Sequence, residues 1–397
     1  MILHILGSGR LVKDPESSAL SGVVRTALEV AKRQSALGHE VHVVGFGDGH
    51  WSSTWAGVRL VSLREFTWLR IRFAGRHLDF TRHIPIVLYT FLHRFDVVHT
   101  HMHSYFRWLR GRKKVAHMHI DPLSDTQGTQ LAYRRAGLKQ LAQQADKVIA
   151  VSKFVQDTMK CDVPESQVQV IYNGGGFTAE RWQAAQSSRV VTRAQMKIPP
   201  DAVVILYVGA FVPAKGVHHL AHSFAALSWD HPEAHLVLAG SEDLWKGSVL
   251  NSVQAEGYAA KLQKTLEAVQ DRTHFLGLVA SSKVAETYAL ADIVVIPSVC
   301  REAFGITALE GLSCGLPVIA SASGGLAELV GDGRGLLVPP GDEPALTRAL
   351  VQLIDDPVER KTLGDRGRAY ARQPQFGWDQ AAQQMIELYS DDSGRRK

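Results

Sequence analysis

Short apolar segments alternate with helical stretches from the first residue, and the alternation runs twice along the chain. Met1–Leu6, Glu40–Phe46, Asp96–His101, Lys114–His119, Lys147–Val151 and Val168–Tyr172 read as strands. Gly22–Leu37 reads as a helix, with Val23, Ala27, Val30 and Ala31 near helical spacing and Gly38 closing it. A second helix is expected around Ala132–Ala145. Strands separated by helices predict a mostly parallel sheet covered on both faces. The pattern lapses over 174–200, which holds three consecutive glycines and Pro199-Pro200, and this reads as an interdomain linker region. It resumes at Ala202–Val208 and continues through Ala234–Ala239, Thr273–Leu276, Ile293–Pro297, Pro317–Ala320 and Gly335–Val338. Residues 342–355 and 357–372 read as helices, and Trp378–Leu388 as a last amphipathic one. The expectation is an α/β chain of two Rossmann-like domains. Residues 1–175 form the first, 176–200 the linker region and 201–375 the second. A C-terminal helix over 376–390 crosses back to the first domain, and 391–397 form a flexible tail.

Composition agrees. At about 100–200 residues per domain, 397 residues suggest two. Apolar residues at 45% and charged residues at 21% exclude a largely disordered chain. No apolar run approaches the ~18 residues of a membrane span; Ile84–Leu92 is among the longest. The N-terminus, MILHILGSGR, lacks a basic start and a cleavage site, so it reads as a first strand and not an export signal. Cys161, Cys300 and Cys314 are too few for a disulfide framework, which points to a reducing cytoplasm. The net charge of +5 is uneven: residues 1–187 carry +9 and residues 188–397 carry −4. That split suggests domains with different partners.

Two Rossmann-like units invite a dinucleotide reading, which the residues refuse. Gly7-Ser8-Gly9 follows the first strand, but Val12 stands where G-x-G-x-x-G needs its third glycine. The loop also runs on to about Ser21 before a helix begins, whereas the fingerprint needs a tight turn.

The most informative stretch is REAFGITALEGLSCGLPVIASASGGLAELV, residues 301–330. Thr307–Cys314 reads as a helix beginning just after Gly305. Its first amides lack intrahelical acceptors and carry partial positive charge, which suits a phosphate. Glu302 and Glu310 flank this point, eight residues apart. Carboxylates cannot ligate phosphate; they suit sugar hydroxyls, which donate hydrogen bonds.

This segment resembles the Glu-x7-Glu signature of the family 4 retaining glycosyltransferases, with Glu302, Phe304, Gly305 and Glu310 in the pattern positions. GHEVHVV (38–44), DVVHTHM (96–102), DKVIAVSKF (146–154), IYNGG (171–175), ADIVVIPS (291–298) and GLLVPPGD resemble family segments in the same order. The resemblance implies a GT-B fold, with its two domains facing an interdomain cleft. It also implies transfer of a sugar from a nucleotide-diphosphate donor to an acceptor hydroxyl with retention of configuration. A diphosphate oxygen would take the acceptor proton on the leaving-group face. UDP-sugars are the first expectation and GDP-mannose the second, in cell-envelope polysaccharide or glycolipid synthesis. The nucleotide sugar is a co-substrate; no cofactor and no metal are expected.

By the same resemblance, Glu310 would hold the ribose and Glu302 the donor sugar. Amides of Phe304, Gly305, Ile306 and Thr307 would hold the sugar or diphosphate, and Lys215 in YVGAFVPAKG would pair with the diphosphate. Gly277 and Val279 would frame the base, and Gly22 would approach from the N-terminal domain. The family has Arg after the glycine of this strand end, where this chain has Ala210. Arg25 and Arg301 are candidate replacement cations. Histidines alternate at two strand ends, His99, His101 and His103, then His117 and His119, so each set shares a face. No cysteine or carboxylate pattern accompanies them, and a metal is not expected. KKVAHMHIDP resembles the strand whose terminal histidine contacts the donor sugar, which fits His119, with His117 as the fallback.

Basic residues over Arg64–Arg82 and Arg107–Lys114 interleave with Trp68, Phe73, Phe106 and Trp108. They read as a solvated face or as a patch for an anionic membrane or lipid-linked acceptor at the inner face of the membrane. No nucleic-acid motif is present. Cys300 and Cys314 lack an adjacent base and read as packing residues. Two alternatives stay open at this point: a non-catalytic nucleotide-sugar binder, kept alive by Ala210, and a GT-B sugar-nucleotide epimerase.

Overall fold

The computed structural model describes residues 1–7, 9–66, 70–73, 76–79, 81–101, 108–124, 128–242 and 257–391, with the backbone alone over 70–73 and 76–79. The chain divides into two compact units. The first holds Met1–Pro15, Leu20–Asn173 and Trp378–Lys397; the second holds Glu16–Ala19 and Gly174–Gly377.

The first unit is built on an eight-stranded sheet, ordered β10-β9-β8-β7-β1-β2-β4-β3. Its strands are β1 (Ile2–Ile5), β2 (Val41–Gly45), β3 (Trp51–Trp55), β4 (Val58–Ser62), β7 (Val97–Thr100), β8 (Lys113–Met118), β9 (Lys147–Ala150) and β10 (Val168–Val170). All pairings are parallel except β3 with β4. A separate hairpin pairs β5 (Arg70–Phe73) with β6 (Arg76–Asp79). The central strands are buried along their whole length, as in β1 and β2. That is why they read as unbroken apolar runs and not as alternating ones. Helices α1 (Gly22–Ala36), α2 (His83–Leu92), α3 (Gly128–Gln144) and α4 (Lys153–Met159) belong to this unit, as does the last helix, α13 (Trp378–Ser390). Trp378, Ala381, Ala382, Met385 and Tyr389 of α13 join one core with Val24, Ala27, Leu28 and Ala31 of α1. Each large side chain buried there contributes about 1.5–3 kcal/mol.

The second unit has a six-stranded parallel sheet, ordered β13-β12-β11-β14-β15-β16. The strands are β11 (Val203–Val208), β12 (Ala234–Ala239), β13 (Thr273–Gly277), β14 (Ile293–Ile296), β15 (Val318–Ser321) and β16 (Leu336–Val338). The chain runs outward from β11 to β13, then returns to build from β14 on the other side. That reversal makes the β11/β14 junction a topological switch point. The helices are α5 (Ala179–Gln195), α6 (Val217–Leu227), α7 (Tyr258–Thr265), α8 (Val284–Ala289), α9 (Ile306–Ser313), α10 (Gly325–Val330), α11 (Glu343–Asp355) and α12 (Pro357–Ala371).

The span 176–200, expected as a patternless linker, carries the 17-residue helix α5 within the second unit. Thr178 caps it, accepting from the Arg181 amide. Only Ala185 and Arg193 are buried, so there is no apolar periodicity to read. Arg193 anchors the helix. Its guanidinium donates to the carbonyls of Leu290 and Ala202 and to Asp292 Oδ2 at 2.6 Å.

Candidate functional site

In the second unit the site grows from the carboxyl ends of β11 and β14. After β11 the chain makes a short 3-10 turn, Pro213–Lys215, which ends on Gly216 at φ 65°. A Cβ at Gly216 would stand 1.9 Å from the Pro297 carbonyl oxygen, so only glycine lets these two strand ends approach. The amides of Val299 and Cys300 both donate to the Ala214 carbonyl at 3.0 Å. This clamp brings Lys215 to Glu302: Lys215 Nζ donates to Glu302 Oε1 at 2.6 Å, and Ser298 Oγ donates to the same oxygen at 2.6 Å. Burial alone would lower the lysine and raise the carboxyl. Their mutual attraction outweighs it, holding Lys215 above and Glu302 below its ordinary value, so both are charged at neutral pH. No described residue pairs with Glu302 Oε2, which leaves one acceptor oxygen for a ligand.

Helix α9 begins directly after Gly305, which sits at φ 101° and ψ 63°. Gly305 at the N-cap has no side chain to bond the first amides, which carry the partial positive charge of a helix start. Phe304 is buried beneath this turn; Ile306 and Thr307 are part-exposed. Glu310 lies on α9 but outside the Lys215 pair. It is 1% exposed, and its Oε2 accepts from Tyr288 at 2.9 Å. The ribose role implied for it therefore falls on a carboxylate set into the core. Gly277 ends β13 at φ 66°, with its carbonyl accepting from the Gly240 amide, and Val279 follows part-exposed. Arg301 is exposed. Ala210 is 4% exposed and packs with Val212 and Ala214, its carbonyl accepting from Tyr207. Cys314 is buried, which pushes its thiol up, and Cys300 is part-exposed.

Gly22, Arg25 and His119 belong to the first unit. Gly22 opens α1 and is exposed; Arg25 is part-exposed. The histidines gather where β1, β7 and β8 lie side by side, at this sheet's own switch point. Register sets His4 opposite His99. His99, His101 and His117 are buried with it, while His119 is part-exposed beyond the end of β8. The rings stack, with centroids 4.7 Å apart for His99 and His101 and 4.9 Å apart for His101 and His119. Burial pushes His4 down to about 4 and His119 to about 3, and holds His99, His101 and His117 well below the ordinary imidazole value. All five are neutral at pH 7. Ligand atoms of His4, His99 and His101, and of His101, His117 and His119, lie within 4.8 Å of one another. Most of their ring nitrogens are hydrogen-bonded to one another or to Gln34 and Tyr389, while His117 Nε2 is buried with no partner among the described residues. His103 lies outside the described residues.

Ser298 and Tyr288, which hold the two glutamates, and Gln34 and Tyr389, which close the histidine cluster, have no motif that marks them. Only proximity in the fold shows their roles.

Residues 189–370 match the family model for glycosyl transferases group 1, and residues 20–174 match that for glycosyltransferase family 4. A D-inositol 3-phosphate glycosyltransferase from Streptomyces bingchenggensis (strain BCW-1) is 30% identical over 312 residues, covering 75% of this chain and 67% of that one. The chain belongs to glycosyltransferase family 4. Its fold is similar to two solved structures. Sucrose-phosphate synthase from Thermosynechococcus elongatus has a TM-score of 0.74 at 24% identity, covering 98% of both chains. HepE from Anabaena, solved with UDP-glucose, has a TM-score of 0.72 at 21% identity, covering 98% of this chain and 99% of that one. This family 4 glycosyltransferase therefore has the GT-B fold. Among the described residues, no helix is long and apolar enough to cross a membrane.

Proposed function

We propose that this glycosyltransferase moves a sugar from a nucleotide-diphosphate donor to an acceptor hydroxyl with retention of configuration. The observation that carries the reading is the Lys215–Glu302 pair at the switch point of the second sheet, in the same unit as the glycine-started helix α9. The leaving diphosphate gathers negative charge as the glycosidic bond breaks. Lys215 and the first amides of α9 stabilise that charge, and they need no reorganisation in the transition state. Lys215 exchanges Glu302 for the diphosphate when donor binds, and Glu302 then accepts hydrogen bonds from sugar hydroxyls. Phe304, Gly305, Ile306 and Thr307 supply backbone donors, Glu310 takes the ribose, and Gly277 and Val279 frame the base. Gly22 and His119 are the further donor-binding candidates that the family resemblance supplies, and Arg25 or Arg301 is the candidate for the cation that Ala210 lacks.

UDP-sugars are the favoured donors and GDP-mannose the second; the UDP-glucose held by HepE supports the order. The acceptor is a sugar or lipid-linked hydroxyl in envelope polysaccharide or glycolipid synthesis, and an anionic one suits the basic first unit. The chain is cytoplasmic, with peripheral contact at an anionic inner membrane face. Leu88, Phe91 and Leu92 of α2 are exposed, and the Arg110 guanidinium lies 4.4 Å from the Phe91 ring centroid. Apolar side chains beside arginines suit a headgroup boundary. The side chains of Trp68, Arg70, Arg72, Phe73, Phe106 and Arg107 from the same basic stretches lie outside the described residues.

A thermal-shift screen against UDP-, GDP- and ADP-sugars tests the donor, because ligand binding raises the melting temperature with the logarithm of concentration over Kd. No shift with any of them removes the donor-site reading. NMR of the product linkage tests retention, and an inverted anomeric centre refutes it.

A further inference from the structure

The histidine cluster of the first unit contains two overlapping trios. One ring nitrogen from each of His4, His99 and His101, and one from each of His101, His117 and His119, lie within 4.8 Å of one another. The first trio is closed on itself. His4 bonds His101 and Gln34, and His99 bonds His117 and the Tyr389 hydroxyl, so both rings use both nitrogens. The second trio is not closed. His117 Nδ1 lies 3.1 Å from His99 Nε2, but His117 Nε2 is buried with no partner among the described residues. The residue is 1% exposed, and a buried polar atom left unpaired is costly enough to need a reason. His101 Nδ1 and His119 Nε2 face each other at 2.7 Å and share one hydrogen. The His117 and His119 ring centroids are 4.0 Å apart. The three rings come from neighbouring strands: His101 follows β7, His117 lies in β8 and His119 follows it.

We propose that His101, His117 and His119 bind a borderline transition-metal ion of the Zn²⁺ type, which clips the ends of β7 and β8 together. Imidazole nitrogens suit zinc, copper and nickel, whereas magnesium and calcium need oxygen ligands, and the trio has no carboxylate. The ion takes the place of the hydrogen between His101 and His119 and gives His117 Nε2 the partner it lacks. Around a tetrahedral Zn²⁺ with Zn–N of about 2.0–2.1 Å the ligand nitrogens stand about 3.3 Å apart, so the His101–His119 pair opens by only about half an ångström. Three protein ligands leave a fourth corner for water, and the part-exposed His119 gives the way in. The outer ring nitrogens are already held, as ligating histidines require. With the ion on His101 Nδ1 and His117 Nε2, His101 Nε2–H donates to His4 and His117 Nδ1–H donates to His99. His4 then donates to Gln34 Oε1 and His99 to the Tyr389 hydroxyl. The ion sets that direction, and every one of these bonds is kept. The site lies wholly within the first unit and does not depend on the donor reading.

The full chain, stripped with a chelator and dialysed, is titrated by calorimetry with zinc sulfate and separately with magnesium chloride. One zinc per chain should bind, and magnesium should not. Zinc should also slow hydrogen exchange in β7 and β8. His117→Phe and, at the part-exposed position, His119→Ala should each weaken zinc binding by at least about a hundredfold, because a zinc site divides its binding free energy among few ligands. His231→Ala should bind zinc as the wild type does; it removes the histidine of the other possible ligand group, His231, Glu233 and Asp355 of the second unit. Co²⁺ in place of zinc should show the strong visible absorption of a four-coordinate ion. No zinc uptake by the wild type, equal uptake of magnesium, or the weak spectrum of six-coordinate cobalt overturns the site, and these are read on the wild type even if His117→Phe does not fold. Zinc affinity unchanged in a folded His117→Phe or His119→Ala, or lost in His231→Ala alone, overturns it as well.

Discussion

The five neutral histidines make the first unit sensitive to mild acid. In an unfolded chain a histidine titrates near pH 6.5. In the folded unit His4 is held at about 4 and His119 at about 3, with His99, His101 and His117 also well depressed by burial. Below about pH 6.5 the unfolded chain therefore binds protons that the folded unit refuses, and stability falls as pH falls. The loss begins near 6.5 and continues towards 4, where His4 starts to protonate in place. Between about pH 7 and about pH 5.5 a histidine that stays neutral costs about 1 kcal/mol, so His4 and His119 together cost about 2 kcal/mol, and His99, His101 and His117 push in the same direction. A domain's whole stability is only about 5–15 kcal/mol, so a measurable part of this unit's reserve is at stake. Urea unfolding at the two pH values, with hydrogen-exchange protection of β1, β7 and β8 as the local readout, measures it. Equal unfolding midpoints and equal protection at both values would refute the reasoning, because they would mean that the histidines titrate in place.

Three further outcomes follow from the second unit. Lys215→Ala and Glu302→Ala should each reduce sugar transfer by about 10²–10³, as expected for removing one group aimed at transition-state charge, and full activity in either would remove it from the machinery. Gly305→Ala should cost about 1–3 kcal/mol in urea unfolding. Its φ is 101°, and the new Cβ would stand 2.5 Å from Leu326 Cδ2. Gly137→Ala, on α3, meets nothing within 4 Å and should be neutral or stabilising, so an equal effect of the two would sink the strain argument. Arg193→Met should destabilise the unit by about 3 kcal/mol or more, because it strips two buried carbonyls and Asp292 of a partner; a loss below about 1 kcal/mol in the same assay would contradict that.

The two sheets were readable because parallel strands buried on both faces must be apolar throughout, as VVILYV over β11 is. Helix α5 was not readable, because a helix that buries only an alanine and an arginine carries no periodic signal. The pairing of β3 with β4 depends on a local turn between two short strands, and the helical alternation around it hid that turn. Within the site, Lys215 and Glu302 stood in recognisable segments, but their contact is made by chain segments nearly ninety residues apart and by one glycine that admits a carbonyl. The alternating histidines were visible at two strand ends. Their closure by Gln34 of α1 and Tyr389 of α13 joins positions 355 residues apart, which no spacing in the sequence can show.

Isothermal titration of UDP-glucose into the wild-type chain and into Lys215→Met tests the central claim most directly. The donor should bind the wild type, and the variant should bind it at least about tenfold more weakly, since it loses a charge-assisted contact to the diphosphate. Equal affinity in the two proteins would contradict the assignment of the site to the Lys215–Glu302 pair.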